Sequence, residues 1–251
     1  MTYSRILLTA LLLLLCWPLA AEQSDPEAIA LLQKSETLMR SSGTIAQYKL
    51  EIIRPDWQRT MEFVSHDDYP NNRFRMEILS PRKTKGTVFL KIGDQLSMFL
   101  PKLRRQIAIS PAMMHDAWMG SDFNNQDLLE ANSLIDDYTH HITARQGEGK
   151  TALITITSQP KPNAKVSWSK LQQQIRGDGI PLSITYGCND PTGGRQLKFE
   201  AVQKLGGRNI PTRMIMQPQG QPGRRTVITI KSASFNQPLD EALFAPQAKK
   251  K

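Results

Sequence analysis

The chain has 251 residues, a formal net charge of +9 from 32 basic and 23 acidic side chains, and only two cysteines. A chain of this length can bury one sizeable core, and two cysteines exclude a scaffold held by several disulfides. It contains no GxxxxGK[ST] loop, GxSxG elbow, HExxH or CxxC motif, which argues against P-loop NTPases and the commonest hydrolase, zinc-protease and dithiol active sites.

Residues 1–21 are arranged like a secretory signal peptide. Arg5 provides a positive start, residues 6–17 are apolar, and "PLAA" supplies the small residues that favour cleavage. We therefore expect a mature chain of residues 22–251, forming one domain in the periplasm. Its charge would be +8, because the removed segment contains one arginine and no acid. This basic character in the periplasm fits an anionic lipid surface or an acidic partner, and we expect no nucleic acid.

An amphipathic helix is predicted at the start of the mature chain. Asp25 is a suitable cap, Pro26 suits the first helical position, and Gly43 follows the predicted end. Because its apolar residues recur at helical spacing, we expect one face to lie on an apolar surface. That face comprises Ala28, Leu31, Leu32, Ser35, Leu38 and Met39.

After residue 50 the apolar period becomes two, which is typical of antiparallel strands with one buried and one solvated face. Five strands follow in this way, at Leu50–Ile52, Met61–Phe63, Phe74–Ile78, Val88–Ile92 and Leu96–Leu100. Six more are predicted at Ala152–Thr157, Val166–Trp168, Pro181–Tyr186, Gln196–Gln203, Thr212–Gln217 and Thr226–Ser232. The fold class is mainly β (α+β), with a strongly curved antiparallel sheet. Such a sheet either closes into a filled barrel or remains a half-open barrel that short helices cover.

The segment "PAMMHDAWMGSDFNNQDLL", residues 111–129, interrupts the strands. Ser110 is a cap before a first-turn proline, so we expect about two and a half helical turns that end at Gly120. Asn124 with Asp127 three residues later predicts the start of a second short helix. Helices this short are stable only when they dock on another surface, and methionine side chains adapt well to irregular apolar shapes.

Three interpretations of this segment compete. It is a plug of core residues, a soft-metal site, or a movable lid over the open face of the sheet. The metal interpretation would use Met113, Met114, His115 and Met119 as copper ligands, but a helix points the methionine pair and the histidine in different directions. We therefore predict no metal site, and leave core plug and lid open.

Catalytic signals are weak elsewhere. His140–His141 follow Asp136–Asp137 at a spacing that suits a metal pair or, more simply, a polar and exposed helix end. Cys16 would be removed with the signal peptide, and Cys188 stands alone in a Gly/Asn/Asp turn. We expect neither an enzyme nor a cofactor.

At the block from Arg73 to Leu129 the chain resembles the LolA-like outer-membrane lipoprotein-sorting proteins. It is most similar to the longer relatives linked to inner-membrane exporters of the resistance-nodulation type. The motifs "LPKLRR", "WMGSDFNNQDL", "GGRNIPTRMIM" and "LDEALFAP" carry the resemblance, which covers nearly the whole mature chain. The turn "YGCNDPTGGR" departs from the aromatic-acidic hairpin that the family more often shows.

The resemblance implies an incomplete β-barrel with a lid of short helices over an apolar cavity. It also implies a periplasmic carrier that moves a lipid, or the acyl chains of a lipoprotein, between the inner and outer membranes without catalysis. The expected partners are the cargo, an inner-membrane exporter or releasing complex as donor, and an outer-membrane acceptor; the carrier would be a monomer. The alternative is a lipid-sensing, or exporter-associated assembly or regulatory, protein that uses the same half-barrel.

For such a carrier we predict a ligand-binding cavity and a lid over it. The strand residues expected in the cavity are Leu50, Ile52, Met61, Phe63, Phe74, Met76, Val88, Leu90, Leu96 and Met98. The residues expected in the lid are Met113, Met114, Trp118 and Phe123. Just before the lid, Lys102, Arg104 and Arg105 either contact an anionic headgroup or partner, or simply guard a strand edge with charge.

Overall fold

The computed structural model describes residues 23–130, 134–164, 166–187 and 193–245. The predicted signal peptide, Cys16 and Cys188 lie outside these residues. Within them no helix is long and apolar enough to cross a membrane. The fold is mainly β, with one antiparallel sheet of thirteen strands. The strands are β1 (Thr44–Ile53), β2 (Gln58–Asp68), β3 (Arg73–Ser80), β4 (Val88–Ile92), β5 (Gln95–Leu100), β6 (Arg105–Ala108), β7 (Tyr138–Gln146), β8 (Leu153–Pro160), β9 (Leu171–Arg176), β10 (Pro181–Tyr186), β11 (Arg195–Leu205), β12 (Arg208–Pro218) and β13 (Arg225–Ser234).

The strand order leaves the barrel open. It runs β6-β5-β4-β3-β2-β1-β13-β12-β11-β10-β9-β8-β7, so each half of the chain forms a meander and the two halves join through β1 and β13. The edge strands are β6 and β7, and they are consecutive along the chain. The segment between them, from residue 109 to residue 137, must therefore pass from one edge of the sheet to the other. A cover over the open side follows directly from this topology.

The N-terminal helix α1 (Pro26–Met39) forms as predicted, with Pro26 in the first turn. Its buried residues Ala28, Leu31 and Leu32 pack in one cluster with isoleucines of β8 and β9. Asp25 occupies the predicted N-cap position, but its side chain makes no capping hydrogen bond to the helix. Its carboxylate instead accepts a hydrogen bond from the backbone N–H of Ile142 at 2.8 Å, which fixes the start of α1 to β7.

Alternation predicted the strands of the first half well, and missed β6, β7 and β9. The predicted strand at Val166–Trp168 is wrong, because both side chains project from a loop and pack against the cluster of Tyr138 and Leu171. No strand was predicted at β7 because its sequence is mostly polar. His140 lies on it fully buried, with Nδ1 2.8 Å from the Ser158 hydroxyl, and burial lowers its pKa. The exposed helix end expected there is therefore wrong as well.

Leu50 tests how far the centre of the sheet depends on packing. It is fully buried on β1, opposite Met61 on β2 and Ile228 on β13. We expect Leu50→Ala to lower the free energy of unfolding by about 2–5 kcal/mol, since it leaves a cavity where the two halves meet. Urea unfolding measures this change. The exposed Leu103→Ala is the control and should stay within about 0.5 kcal/mol of wild type; an equal loss in both variants would contradict the assignment.

Candidate functional site: a covered apolar cavity

A cavity of about 380 Å³ lies between the curved sheet, α1 and the segment that joins the two edges. Strands on both sides of the β1–β13 junction contribute to its wall, which shows that the sheet bends around it. The wall from the first half contains Ala46, Tyr48, Phe63, Phe74 and Met76. The wall from the second half contains Ile184, Tyr186, Leu197, Phe199, Ile210, Met214, Met216, Ile228 and Ile230. The connecting segment adds Trp118, Phe123, Asp127 and Leu128.

The cavity lining includes a cluster of ionisable side chains near the C-terminal end of α1. Glu36 of α1 and Arg40, which follows its last residue, lie there with Asp67 of β2. Burial raises the pKa of Glu36, although the Tyr69 hydroxyl, which donates to this carboxylate, and the charge of Arg40 act against the rise. Burial likewise raises the pKa of Asp67, and it raises the pKa of Tyr48 to about 12. A ligand in this cavity therefore meets mostly hydrocarbon, with ionisable groups in one region.

Lys91 is a buried cation close enough to act on Asp67. Its side chain is on the interior side of β4, in register with Phe74 and Leu96, and its ammonium donates to the Asn72 amide oxygen at 2.7 Å. Burial, together with the charge of Arg40, lowers the pKa of Lys91 to about 8. One hydrogen bond does not replace the hydration of an ammonium, so the residue stays charged at neutral pH at a cost.

The connecting segment is less helical than predicted. Only short 3-10 turns form at Pro111–Met113 and Trp118–Gly120, and the expected helix of two and a half turns is wrong. The reason is local, because Met119 and Gly120 both take positive φ angles. The chain folds back there, and the backbone N–H of Trp118 donates to the Phe123 carbonyl at 2.8 Å. The helix α2 (Asn125–Glu130) does begin at the predicted cap. Asn124 and Asp127 exchange side-chain to backbone hydrogen bonds of 2.8 and 2.9 Å.

Trp118 is at once core and cavity wall. Its ring meets Phe63 and Phe89 edge-to-face, with centroids 5.8 and 5.7 Å apart, and the residue is almost fully buried. Aromatic pairs in this geometry contribute about 0.5–1.5 kcal/mol each beyond the area they bury. The indole N–H finds no acceptor among the described residues, so packing has to outweigh an unpaired polar group.

A buried carboxylate fixes the segment to the sheet. Asp122 has a fully buried side chain that receives two hydrogen bonds from Arg54, at 3.0 and 3.1 Å, and one from Arg224 at 2.7 Å. The Thr226 hydroxyl donates to the same carboxylate at 2.7 Å and accepts from the Asp122 backbone N–H at 2.9 Å. We call Asp122 with Arg54, Arg224 and Thr226 the Asp122 latch.

Two further arginines hold the segment on either side of the latch. Arg195 on β11 donates to the Asp122 carbonyl at 3.1 Å and pairs with Asp127, and it stacks over the Trp168 and Tyr186 rings. Arg59 on β2 donates to the Met119 carbonyl. Gly120 has a φ of +76°, a conformation that favours glycine, and a Cβ atom there would lie 2.8 Å from the end of the flexible Arg59 side chain. We refer to residues 109–130, held in this way, as the lid.

Five of the fourteen residues predicted for the cavity and lid line the cavity: Phe63, Phe74, Met76, Trp118 and Phe123. Most of the others form the packed core beside it. Leu50, Ile52, Met61 and Leu96 are buried in the cluster that contains Trp118, with Met98, Met113 and Met114 packed against it. The methionines of the lid thus contact apolar core, whereas His115 is exposed. This arrangement favours packing over the soft-metal interpretation.

The structure corrects the prediction for Val88 and Leu90. On β4 the residue in register with Met76 and Met98 is Phe89, and it is Phe89 that reaches the interior cluster. Its neighbours Val88 and Leu90 point to the other face of the sheet, so the prediction that they line the cavity is wrong. Both faces of β4 are buried, and the sequence "VFLK" therefore does not reveal the register.

Most residues of the wall from the second half were not among the predicted cavity residues. Residues of β10 to β13 supply it, because β13 is the neighbour of β1 at the centre of the sheet while β4 and β5 lie toward an edge. Alternation had marked these strands, but alternation gives no strand order. Lys102, Arg104 and Arg105 do not line the cavity; they are exposed at the β5–β6 turn.

Comparisons with known proteins agree with this architecture. A family model described as that of an uncharacterized protein matches residues 70–250. The chain therefore belongs to that family, and its fold is LolA-like. No curated protein matches the chain in sequence.

Three solved structures share the fold at low identity. A DUF1329 family protein from Desulfovibrio piger is 18% identical, with 91% of this chain and 100% of that chain covered and a TM-score of 0.78. A LolA superfamily protein from Nitrosomonas europaea is 17% identical, with coverage of 87% and 97% and a TM-score of 0.70. A domain from Vibrio parahaemolyticus, provisionally named an outer membrane lipoprotein-sorting protein, is 18% identical, with coverage of 87% and 96% and a TM-score of 0.72.

Lys91 gives a pH prediction. Between about pH 8 and pH 10.5 the unfolded chain keeps the Lys91 proton while the folded chain loses it, so this residue makes stability rise with pH in that window. Below pH 8 both states are charged and the burial cost is fully present. Urea unfolding at about pH 7 and about pH 9.5 should show wild type gaining stability relative to Lys91→Met. The exposed Lys198→Met should show no such trend, and a flat difference for Lys91→Met would contradict the burial argument.

The Asp122 latch gives a second prediction. Asp122→Asn leaves the guanidinium of Arg54, which is largely buried, without its counter-charge, and we expect a loss of about 3 kcal/mol in the free energy of unfolding. Amide hydrogen exchange should also accelerate in the lid more than in β1. Asp116→Asn removes the same charge from an exposed position of the same segment. If it destabilised the protein as much, the latch would have no special role.

Proposed function

We propose that this chain is a periplasmic carrier that binds a lipid, or the acyl chains of a lipoprotein, and moves it between the inner and outer membranes without catalysis. The observation that carries the proposal is the apolar cavity of about 380 Å³ enclosed by the sheet, α1 and the lid. The shared fold of a structure named for outer membrane lipoprotein sorting supports the same class of function. It also supports a place in the periplasm.

A covered cavity answers the main physical obstacle to lipid transfer. Exposing an acyl chain to water costs about 0.8 kcal/mol per methylene, or roughly 10 kcal/mol for one long chain. Free diffusion of such a molecule through an aqueous compartment is therefore negligible. A wall of Phe, Ile, Leu and Met side chains removes that cost and leaves the carrier itself water-compatible.

The cavity volume and the latch suggest how cargo would enter. Ligand sites in proteins range over about 300–1,000 Å³, so the closed form suits one chain-sized ligand, and larger cargo requires the lid to move. Lid movement breaks the Asp122 latch, whose buried charges then need other partners or water. An inner-membrane exporter or releasing complex as donor, and an outer-membrane acceptor, would supply those partners. Direction would come from their relative affinities for the cargo.

The charged group in the cavity narrows the cargo to an amphiphile. Glu36, Arg40 and Asp67 lie along the same lining as Tyr48 and Phe74. A pure hydrocarbon would leave these groups with only their partners within the protein, whereas the polar end of an amphiphile could add hydrogen bonds to them. The proposal therefore favours an acyl lipid with a polar group over an apolar pigment or hydrocarbon.

Cavity-filling substitutions test the proposal. Ile184→Trp on β10 and Ile228→Trp on β13 add bulk to the cavity wall from two different strands, and each should cut the acyl mass that co-purifies with the protein by about tenfold or more, which corresponds to roughly two displaced methylenes. Native mass spectrometry followed by lipid extraction provides the measurement. Because the added rings occupy empty space, the free energy of unfolding should change less than the 1–3 kcal/mol typical of an overfilled core.

The control makes the same Ile→Trp substitution at a position outside the cavity. Ile92→Trp makes the same exchange at a position that is 42% exposed and outside the cavity, and should keep its lipid. Wild-type protein that carries no acyl mass from cells would refute the proposal. Bound lipid that is not handed to acceptor vesicles would point instead to a lipid sensor.

A further inference from the structure

The topology gathers basic residues that are distant in sequence. In an antiparallel meander alternate turns lie at the same end of the sheet. The turns 54–57, 81–87, 101–104 and 219–224 therefore share one end, since β1, β3, β5 and β12 all finish there. Two of these turns touch, because a Cβ atom on Gly86 would lie 3.5 Å from the Pro101 ring.

The two touching turns carry exposed cations and no acid. We define the basic patch as Arg82, Lys83, Lys85, Lys102, Arg104 and Arg105, all of which are exposed. None of them forms an ion pair with a described residue. The carboxylates nearest in sheet register are Glu62 and Glu77, on the strands behind the patch, and Glu77 is paired with Arg75 at 2.8 Å.

Large apolar side chains are exposed among these charges. Leu103, at the tip of the β5–β6 turn, is 61% exposed and lies between Lys102 and Arg104. The tip is ordered by backbone hydrogen bonds from Leu103 to Leu100 and from Arg104 to Pro101. At the same end Trp57 is 45% exposed, with Arg54 and Arg59 stacked over its ring. Leucine and tryptophan beside arginine and lysine match the chemistry of a bilayer interface.

The opposite end of the sheet has a different charge. By the same alternation of strands, its turns carry the acids Asp94, Glu148, Asp178 and Glu241, of which Asp178 pairs with Arg176 and Glu241 with Arg73, and Lys150 lies in the turn of Glu148. A molecule with unpaired cations at one end and mixed charges at the other orients itself in the field of a charged surface. The patch would therefore face that surface before contact.

We infer that the protein docks on anionic lipid bilayers by this end, with the basic patch on the headgroups and Leu103 inserted between them. An acidic protein surface would not require exposed Leu103 and Trp57 at the turn tips, so the observations favour lipid. The patch leads through β6 directly into the lid at Ile109, whose N–H donates to the Leu96 carbonyl at 2.9 Å. Docking thus takes place next to the element that would have to move for cargo to pass.

Vesicle co-sedimentation of the mature chain, residues 22–251, tests this inference without any cargo. We expect binding to phosphatidylcholine vesicles that contain phosphatidylglycerol, loss of binding at high salt, and little binding to phosphatidylcholine alone. Lys102→Gln/Arg104→Gln/Arg105→Gln should reduce the partition coefficient on the order of 100-fold, since each basic residue near an anionic surface contributes roughly tenfold or less. Leu103→Ser should reduce it on the order of tenfold while keeping the salt dependence.

The matched control removes the same charge elsewhere. Lys198→Gln/Lys204→Gln/Lys231→Gln changes three exposed lysines on β11 and β13, and should bind within a few-fold of wild type, on the order of the long-range effect of net charge. Equal losses in the two triple variants would overturn the patch in favour of net charge. Wild-type protein that ignores anionic vesicles would overturn lipid docking in favour of a protein partner. Because the assay uses empty vesicles, these outcomes are independent of whether acyl mass co-purifies.

Discussion

The pairing of β1 with β13 is the constraint on which the rest of this structure depends. It joins residues 44–53 to residues 225–234, and so connects two meanders that are otherwise built from neighbouring strands. Either meander alone would be a half-covered sheet without an enclosed space. The pairing is non-local and costs loop-closure entropy before its contacts are gained, so it depends on the packing of side chains such as Leu50 and Ile228 across it. Once it forms, the remaining edges are fixed at β6 and β7, and the lid has to cross between them.

This constraint also explains what the sequence could and could not predict. Strand existence follows from local alternation, and the first five strands were predicted correctly for that reason. Strand order is not local, so the sequence placed the cavity over β1–β5 when its centre lies at the β1–β13 junction. The register error at Val88 and Leu90 has a different origin, because a strand buried on both faces has no solvated side to mark its phase. The family resemblance supplied the open barrel, which composition alone had left undecided.

The lid shows the same division between local and distant information. Its second helix was predicted from Asn124 and Asp127, which are three residues apart and cap each other. The Asp122 latch was invisible, since Arg54 and Arg224 are distant in sequence and nothing local marks a surface-type aspartate for burial. The segment is both core and cover of the cavity, because the Trp118 ring packs between Phe63 and Phe89 and also lines the cavity. An opening lid would therefore expose core, and the latch is the element that opposes this.

The two interactions proposed for this molecule, cargo binding and membrane docking, would respond differently to the ionic strength of the solution. Burial of acyl chains in the cavity would be hydrophobic and would not be weakened by salt, whereas contact through the basic patch would be screened over about 8–10 Å at physiological ionic strength. A carrier needs this separation, since it must hold cargo firmly in transit and leave each membrane readily. If binding and docking used the same residues, stronger retention would mean slower release. Here Ile228 and Phe199 lie in the cavity wall while Leu103 and Arg104 lie at the end of the sheet, so the two affinities can change independently.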